Sequence, residues 1–199
     1  MATATEAGAM TQRALATRNL LYEAAAELFV ERGYENTTMS DIAERAGTSR
    51  RTAFNHFPSK GDIPMLWTRL RADRAVEKIA ESASADALER IRSYFRLLGD
   101  MITAEPELSR QMLLGWTAAT GPIRYESQLL TDLTPLLEQG REQGCIAPTV
   151  DVAEAARTLS DVYLGAVFRW VRDQEASETL QAVAGGGIEL VLSAIRSRS

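Results

Sequence analysis

The sequence predicts an all-α protein in which an N-terminal helix-turn-helix domain is followed by a larger helical bundle. Three observations carry this prediction. Apolar residues recur at the spacing of one helical face along nearly the whole chain, no segment of any length alternates as a strand does, and glycine or proline interrupts the pattern where helices would end. The sequence also contains no internal repeat of solenoid period. Its 199 residues suffice for a small domain joined to a medium one.

The composition narrows the class of protein. Hydrophobic residues make up 45% of the chain and charged residues 25%, as in an ordinary globular protein. No apolar run approaches the roughly 20 residues that cross a bilayer, and the first ten residues lack the layout of a secretory signal. We therefore expect a cytoplasmic protein without membrane contact. The single cysteine, Cys145, excludes an internal disulfide and fits a reducing compartment.

Catalytic and metal chemistry are not expected. The only cysteine and the only histidine, His56, lie in different predicted domains. The sequence has no nucleophile elbow, phosphate-binding loop or metal-ligand spacing. We therefore predict that the protein is not an enzyme and uses no cofactor or metal ion.

The formal net charge of −5 is unevenly distributed. Residues 11–75 contain 10 basic and 8 acidic side chains, a net charge of +2. Residues 76–199 contain 12 basic and 18 acidic side chains, a net charge of −6. The N-terminal part can therefore approach a polyanion, whereas the C-terminal part would be repelled by one.

The N-terminal domain is predicted to cover residues 13–60. Residues 1–12 are small and polar without periodicity, which predicts a disordered leader. The first helix of the domain ends at Gly33, which tolerates the left-handed conformation of a helix C-terminus. Its apolar face consists of Leu20, Leu21, Ala24, Ala25, Leu28 and Phe29.

Two short helices follow within this domain. Thr38 is placed to cap the second helix in a capping box with Asp41, and Ser49 is placed to cap a third helix that ends near Phe57. Gly47 stops the second helix, so the turn between them is only three residues long and the two helices must cross steeply. The buried side of the second helix is predicted to consist of Met39, Ile42, Ala43 and Ala46.

The third helix has an apolar and a polar face. Ala53, Phe54 and Phe57 are predicted to face inward. The outward residues are Arg50, Arg51, Thr52, Asn55 and His56. The alternative is that these polar residues only solvate a surface helix. The tight turn, the helix caps and the aromatic inner face disfavour that alternative.

The helical bundle is predicted to cover residues 61–199. A long helix runs from about Asp62 to about Ala80, and either it begins there with Pro64 in its first turn or Pro64 kinks it. Further helices are predicted at residues 85–104, 107–119, 123–143, 152–173 and 178–196. The triplet Gly185-Gly186-Gly187 either permits a close helix contact across a dimer or breaks the last helix.

The motif residues of the N-terminal domain resemble those of the TetR family of transcriptional regulators. The resemblance rests on Gly33-Tyr34, Thr37-Thr38, Asp41-Ile42-Ala43, Ala46-Gly47, Ser49, Phe54, His56-Phe57 and Ser59-Lys60. It implies a three-helix DNA-binding head, a linking fourth helix and a body whose last two helices pair with a twin subunit. The function implied is that of a ligand-responsive repressor.

The polar face of the third helix is suited to the major groove of double-stranded DNA. Arginine forks onto guanine, asparagine onto adenine, and threonine contacts a base edge. His56, Lys60 and Thr38, together with the capping groups, are better suited to phosphates, although His56 can also be read as a hydrogen-bonded structural histidine. The residues predicted to contact DNA are Thr38, Ser49, Arg50, Arg51, Thr52, Asn55, His56 and Lys60.

A homodimer is expected because one head reads too few base pairs. Two heads would read half-sites about 34 Å apart, or a multiple of that distance. The dimer surface is predicted to come from the last two helices, and the alternative is that their apolar residues form a monomer core. These residues are Ala155, Leu159, Val162, Ala166, Trp170, Leu180, Val183, Ile188, Val191 and Ile195.

A small-molecule effector of unknown identity is the second expected partner. Aromatic and methionine side chains in the body suit an adaptable apolar pocket, although each is also read as plain core. The predicted pool is Tyr94, Leu97, Met101, Met112, Trp116, Tyr125, Tyr163 and Val167. The rival functions are an architectural DNA protein, which the acidic body opposes, and a helical adaptor without a ligand.

Overall fold

The computed structural model describes residues 4–81, 86–120, 128–173 and 179–197. Within these ranges the chain forms nine helices, and its one β-type contact is an isolated bridge between Ile146 and Arg196. The helices are α1 (Ala4–Arg32), α2 (Met39–Arg45), α3 (Arg50–His56), α4 (Asp62–Glu81), α5 (Ala87–Thr103), α6 (Pro106–Thr120), α7 (Gln128–Glu142), α8 (Val152–Arg172) and α9 (Leu180–Ile195). The predicted all-α class is confirmed.

Most helix boundaries lie within two residues of the predicted ones, whereas residues 123–127 of the predicted 123–143 helix lie outside the described residues. The ends of α6 and α8 differ from the predicted bounds by one residue at most. By contrast, α1 begins at Ala4, inside the segment predicted to be a disordered leader. Residues 4–12 contain three alanines, one glutamate, one methionine and one glutamine, all of which have high helix propensity. Apolar periodicity does not register propensity of this kind, so it gave no signal there.

Pro64 lies in the first turn of α4. The helix begins at Asp62, whose carboxylate Oδ2 accepts hydrogen bonds from the Ser59 backbone N–H at 2.6 Å and from the Ser59 hydroxyl at 3.0 Å. Proline is tolerated in a first turn because the backbone N–H that it lacks would have no partner within the helix. Of the two alternatives for Pro64, the structure has the first.

The three consecutive glycines do not interrupt α9, which is continuous from Leu180 to Ile195. A Cβ atom at Gly187 would lie 2.7 Å from Cγ1 of Val162 on α8. At Gly185 and Gly186, no atom lies within 4 Å of such a Cβ. Gly187 therefore permits a close approach of α8 and α9 within one chain.

One compact unit comprises Met1–Trp67 and Glu107–Pro122. It contains α1 to α3, the start of α4 and, from Glu107 onward, helix α6. Helix α6 approaches the others through glycines: a Cβ atom at Gly115 would lie 2.5 Å from the Tyr34 ring, and one at Gly61 would lie 2.6 Å from Cβ of Ala119. This unit is thus larger than residues 13–60.

The second compact unit comprises Thr68–Pro106 and Ile123–Ser199. Helix α8 packs against α7 and α9, and α5 packs against the same two helices. The guanidinium of Arg92 on α5 forms a two-pronged ion pair with Glu189 on α9, with N–O distances of 2.6 and 3.2 Å. Among the described helices of the whole chain, none has the length and apolar character needed to span a bilayer.

Candidate nucleic-acid interface

The helix-turn-helix is held by the caps that the sequence predicts. The Thr38 hydroxyl accepts a hydrogen bond from the Asp41 N–H, and the Asp41 carboxylate accepts one from the Thr38 N–H. The hydrogen bonds from Thr38 lower the pKa of Asp41. Gly47 adopts a φ of +63°, and the Ser49 hydroxyl accepts from the Thr52 N–H at 3.1 Å. These bonds fix where α3 starts.

Arg45 ties α2 to α1. Its guanidinium donates to Glu31 at 2.9 and 2.7 Å and to Glu27 at 3.0 Å. The hydrogen bond from Arg45 lowers the pKa of Glu31. Because both acidic partners are exposed, we expect this cluster to orient α2 more than to stabilise it.

Helix α3 is anchored by one narrow face. Ala53 is fully buried and Phe57 is 1% exposed. The guanidinium of Arg18 on α1 lies 5.3 Å from the centre of the Phe57 ring. Arg50, Arg51 and Asn55 are exposed. The structure therefore holds α3 by its small apolar side and leaves these three polar side chains outside.

Phe54 does not belong to the buried face. The side chain is 37% exposed, and the guanidinium carbon of Arg50 lies 5.5 Å from the centre of its ring. The sequence-based assignment to the inner side is wrong because α3 has only seven residues. Residues four apart, Ala53 and Phe57, already complete its buried stripe, and residue 54 is turned about 100° away from Ala53.

The other residues predicted to contact DNA are half-buried or take part in local hydrogen bonds. His56 and Thr52 are half-buried, and the Thr52 hydroxyl lies 2.8 Å from that of Ser49. The Thr38 hydroxyl donates its proton to Asp41 at 2.6 Å, so that proton does not remain for a phosphate. In this structure the hydroxyls of Ser49 and Thr38 cap α3 and α2.

Lys60, predicted to contact phosphate, is turned toward the turn after α1. Its ammonium donates to the backbone carbonyls of Tyr34 at 2.5 Å, Thr37 at 2.8 Å and Glu35 at 3.4 Å. It also lies 4.1 Å from the centre of the Tyr34 ring. Burial lowers the pKa of Lys60. Because an ammonium has three N–H donors, these carbonyls use all of them.

Helix α6 contacts the same turn from another side. The side-chain carbonyl of Gln111 accepts a hydrogen bond from the Tyr34 backbone N–H at 2.8 Å. Tyr34 directly follows Gly33, which ends α1 with a φ of +85°. The turn after α1 is therefore fixed by two residues distant in sequence, Lys60 and Gln111. No local sequence pattern marks Gln111 for such a contact, so the sequence alone did not predict it.

The predicted effector residues are divided between the two units. Met112 and Trp116 lie in the unit that contains α3, whereas Tyr94, Leu97, Met101, Tyr163 and Val167 lie in the second unit. Tyr125 lies outside the described residues. The buried Tyr94 donates its hydroxyl proton to Asp132 at 2.6 Å, which points to a structural role for this side chain.

A pocket of about 230 Å³ opens between α5, α8 and α9 in the second unit. Of the described members of the predicted effector pool, Tyr163 alone lines it. The Phe95 and Tyr163 rings lie 5.1 Å apart. The apolar walls of the pocket include Phe95, Tyr163, Leu180, Ala184 and Ile188. Arg92, Arg96 and Glu189 are among its charged residues.

Most residues predicted for the dimer surface are buried within one chain. Seven of the ten have exposures of 9% or less, which supports the monomer-core alternative for them, and Val162, Val183 and Val191 are half-buried. The same two helices expose other large apolar side chains. Phe168 on α8 is 42% exposed and Leu190 on α9 is 74% exposed. Periodicity alone does not separate a core face from an interface.

One family model and several known proteins are similar to this chain. The model of the bacterial regulatory proteins of the tetR family matches residues 21–63. The HTH-type transcriptional repressor KstR2 of Rhodococcus jostii is 28% identical over 200 residues, covering 90% of this chain and 91% of that protein. The fatty acid metabolism regulator protein of Bacillus subtilis is 27% identical over 188 residues, covering 89% and 95%.

A solved structure is similar over most of the chain. It is the crystal structure of Thermus thermophilus FadR, a TetR-family transcriptional repressor, in complex with lauroyl-CoA. The TM-score is 0.73 at 25% identity, and the match covers 92% of this chain and 96% of that one.

Proposed function

Because this chain belongs to the TetR family of bacterial regulatory proteins, we propose that it is a ligand-responsive repressor that binds a palindromic DNA operator as a homodimer. Such a protein acts in the cytoplasm, where its operator lies. The observation that carries the proposal is the exposure of Arg50, Arg51 and Asn55 on α3, which is anchored through the buried Ala53 and Phe57.

The exposed side of α3 has the chemistry of direct base readout. An arginine guanidinium pairs with the two acceptors of guanine in the major groove, and an asparagine amide pairs with adenine. Phosphate contacts orient such a helix without reading the sequence. We assign this orienting role to His56 and to the hydroxyl of Thr52, and we do not assign it to Lys60.

A homodimer follows from the size of the reading unit. One seven-residue helix reaches only a few base pairs, so two copies related by a two-fold axis are needed for a specific site. Exposed Phe168 and Leu190 support an interface built on α8 and α9, because large apolar side chains are favoured in the centre of an interface.

A selection from random duplex DNA with the full-length protein tests the proposal. We expect an inverted repeat whose half-sites lie about one helical turn, or a multiple, apart. Arg51→Ala should then lower the affinity for this site by roughly 5- to 150-fold for each half-site, since a bidentate base contact contributes about 1–3 kcal/mol. The affinity for unrelated DNA should change far less.

Arg157→Ala is the matched control, because Arg157 is an exposed arginine on α8 in the other unit. It should leave both affinities unchanged. Equal losses of Arg51→Ala on specific and unrelated DNA, or the absence of any selected repeat, would instead favour the architectural alternative.

The effector is proposed to enter the pocket between α5, α8 and α9. The relative of known structure carries lauroyl-CoA, so an acyl thioester is the first class to test. The apolar walls around Phe95 and Tyr163 suit an acyl chain, and the arginines nearby suit an anionic group. An effector that releases DNA must bind the operator-free conformation more tightly than the operator-bound one.

Filling the pocket tests this assignment. We expect lauroyl-CoA to weaken operator binding by the full-length protein and Ala184→Phe to abolish that response, because Ala184 lines the pocket and is 3% exposed. Ala153→Phe, on the exposed side of α8, is the control and should keep the response. An unchanged response of Ala184→Phe, with operator binding intact, would place the effector elsewhere.

A further inference from the structure

Phe54 is an exposed aromatic side chain among the base-reading residues. It lies on α3 next to Asn55 and one helical turn after Arg50, and 37% of its surface is exposed. Single exposed apolar side chains are common on protein surfaces, so the exposure alone decides nothing. Its place beside Asn55 on the helix proposed to read the groove and its contact with Arg50 set Phe54 apart.

The chemistry of a phenyl ring limits what it can contact on DNA. It has no hydrogen-bond donor or acceptor, so it cannot bond to a phosphate or to the polar edge of a base. The apolar group that the major groove offers is the C5-methyl of thymine. A phenyl ring on a helix in that groove is therefore suited to thymine.

We propose that Phe54 is a specificity residue that packs on a thymine methyl in each half-site, and that it positions Arg50 for an adjacent guanine. This inference rests on the proposed function. The Arg50 guanidinium carbon lies 5.5 Å from the ring centre, within the range of a cation–π contact. Stacking on the ring restricts the flexible arginine, so less side-chain freedom is lost when its fork binds guanine.

The proximity of the two side chains makes a prediction about the operator. Groups about 5.5 Å apart reach the same base pair or neighbouring ones, since base pairs are stacked about 3.4 Å apart along DNA. The thymine read by Phe54 must therefore lie within one step of the guanine read by Arg50.

Replacing thymine by uracil, one position at a time, tests the contact directly because it removes only the methyl group. With the full-length protein and its selected operator, we expect a loss on the order of fourfold per half-site at one thymine next to a guanine, as for one buried methylene-sized group. Phe54→Ala should bind the thymine and uracil forms of that position equally well.

Two further variants separate the roles of the ring. Phe54→Leu should keep the uracil sensitivity, because leucine still packs on a methyl, but should weaken the preference for the adjacent guanine. Leu114→Ala removes another exposed apolar side chain of the same unit and should behave as the unmodified protein. Since Phe54 is exposed, its variants are expected to fold, which circular dichroism checks.

The inference is overturned if the unmodified protein selects an inverted repeat but tolerates uracil at every thymine. It is also overturned if Phe54→Ala retains the uracil sensitivity of the unmodified protein. Failure to select any repeat is a different outcome and would overturn the proposed function.

Discussion

Gly115→Leu is expected to lower the free energy of unfolding by about 3 kcal/mol and to weaken operator binding, because overfilling a packed contact forces side chains and backbone apart. Even the first side-chain carbon would lie 2.5 Å from two atoms of the Tyr34 ring and 2.7 Å from Cγ of Pro64. Tyr34 is 8% exposed and its ring packs edge-on against Phe29. The ring therefore has little room to move.

Urea denaturation at fixed protein concentration measures this effect. Leu114→Ala is the control, since Leu114 is the preceding residue of α6 and is 47% exposed. A surface change of this kind is expected to alter the free energy of unfolding by about 0.5 kcal/mol or less. Equal stability of the Gly115→Leu variant and the unmodified protein would mean that α6 does not pack on Tyr34.

Lys60→Met is expected to cost about 2 kcal/mol of stability, because the carbonyl groups that it leaves behind lose a charged donor. The Tyr34 and Thr37 carbonyls accept from the ammonium in a part-buried region. Methionine keeps the length and apolar stem of the side chain and removes the charge. Lys78→Met, at an exposed position on α4, is the matched control and should be nearly neutral.

The salt dependence of operator binding separates this structural role from a phosphate contact. Removing a lysine that binds phosphate lowers the slope of log affinity against log salt by about 0.9. We expect the slope for Lys60→Met to equal that of the unmodified protein at a temperature where both are folded. A slope reduced by about one unit would return Lys60 to the phosphate contacts.

Local signals in the sequence predicted the helix-turn-helix accurately. The capping box of Thr38 and Asp41, the Ser49 cap and the left-handed Gly47 depend on residues within four positions of each other, so the sequence alone contains the information. The exposure of Arg50, Arg51 and Asn55 agrees with the expected outward face.

The errors share a physical cause. Apolar periodicity shows that a helix face is covered but not which surface covers it. It therefore placed Phe54 in a core, although Phe54 is exposed. It also assigned Leu159 and Trp170 to a dimer surface, although both are buried within one chain. The partners of Lys60 were likewise not evident from the sequence. A basic residue beside a DNA-reading helix suggests phosphate, while its actual partners are backbone carbonyls more than 20 positions away.

The inclusion of α6 in the unit that contains α3 bears on protein engineering. Exchange of DNA specificity between related regulators is simplest to plan as a swap of the first 60 residues. Here such a swap would separate Tyr34 from Gln111 and Gly115, the two residues of α6 that fit around it. A hybrid regulator should therefore carry residues 106–120 from the same parent as its reading helices.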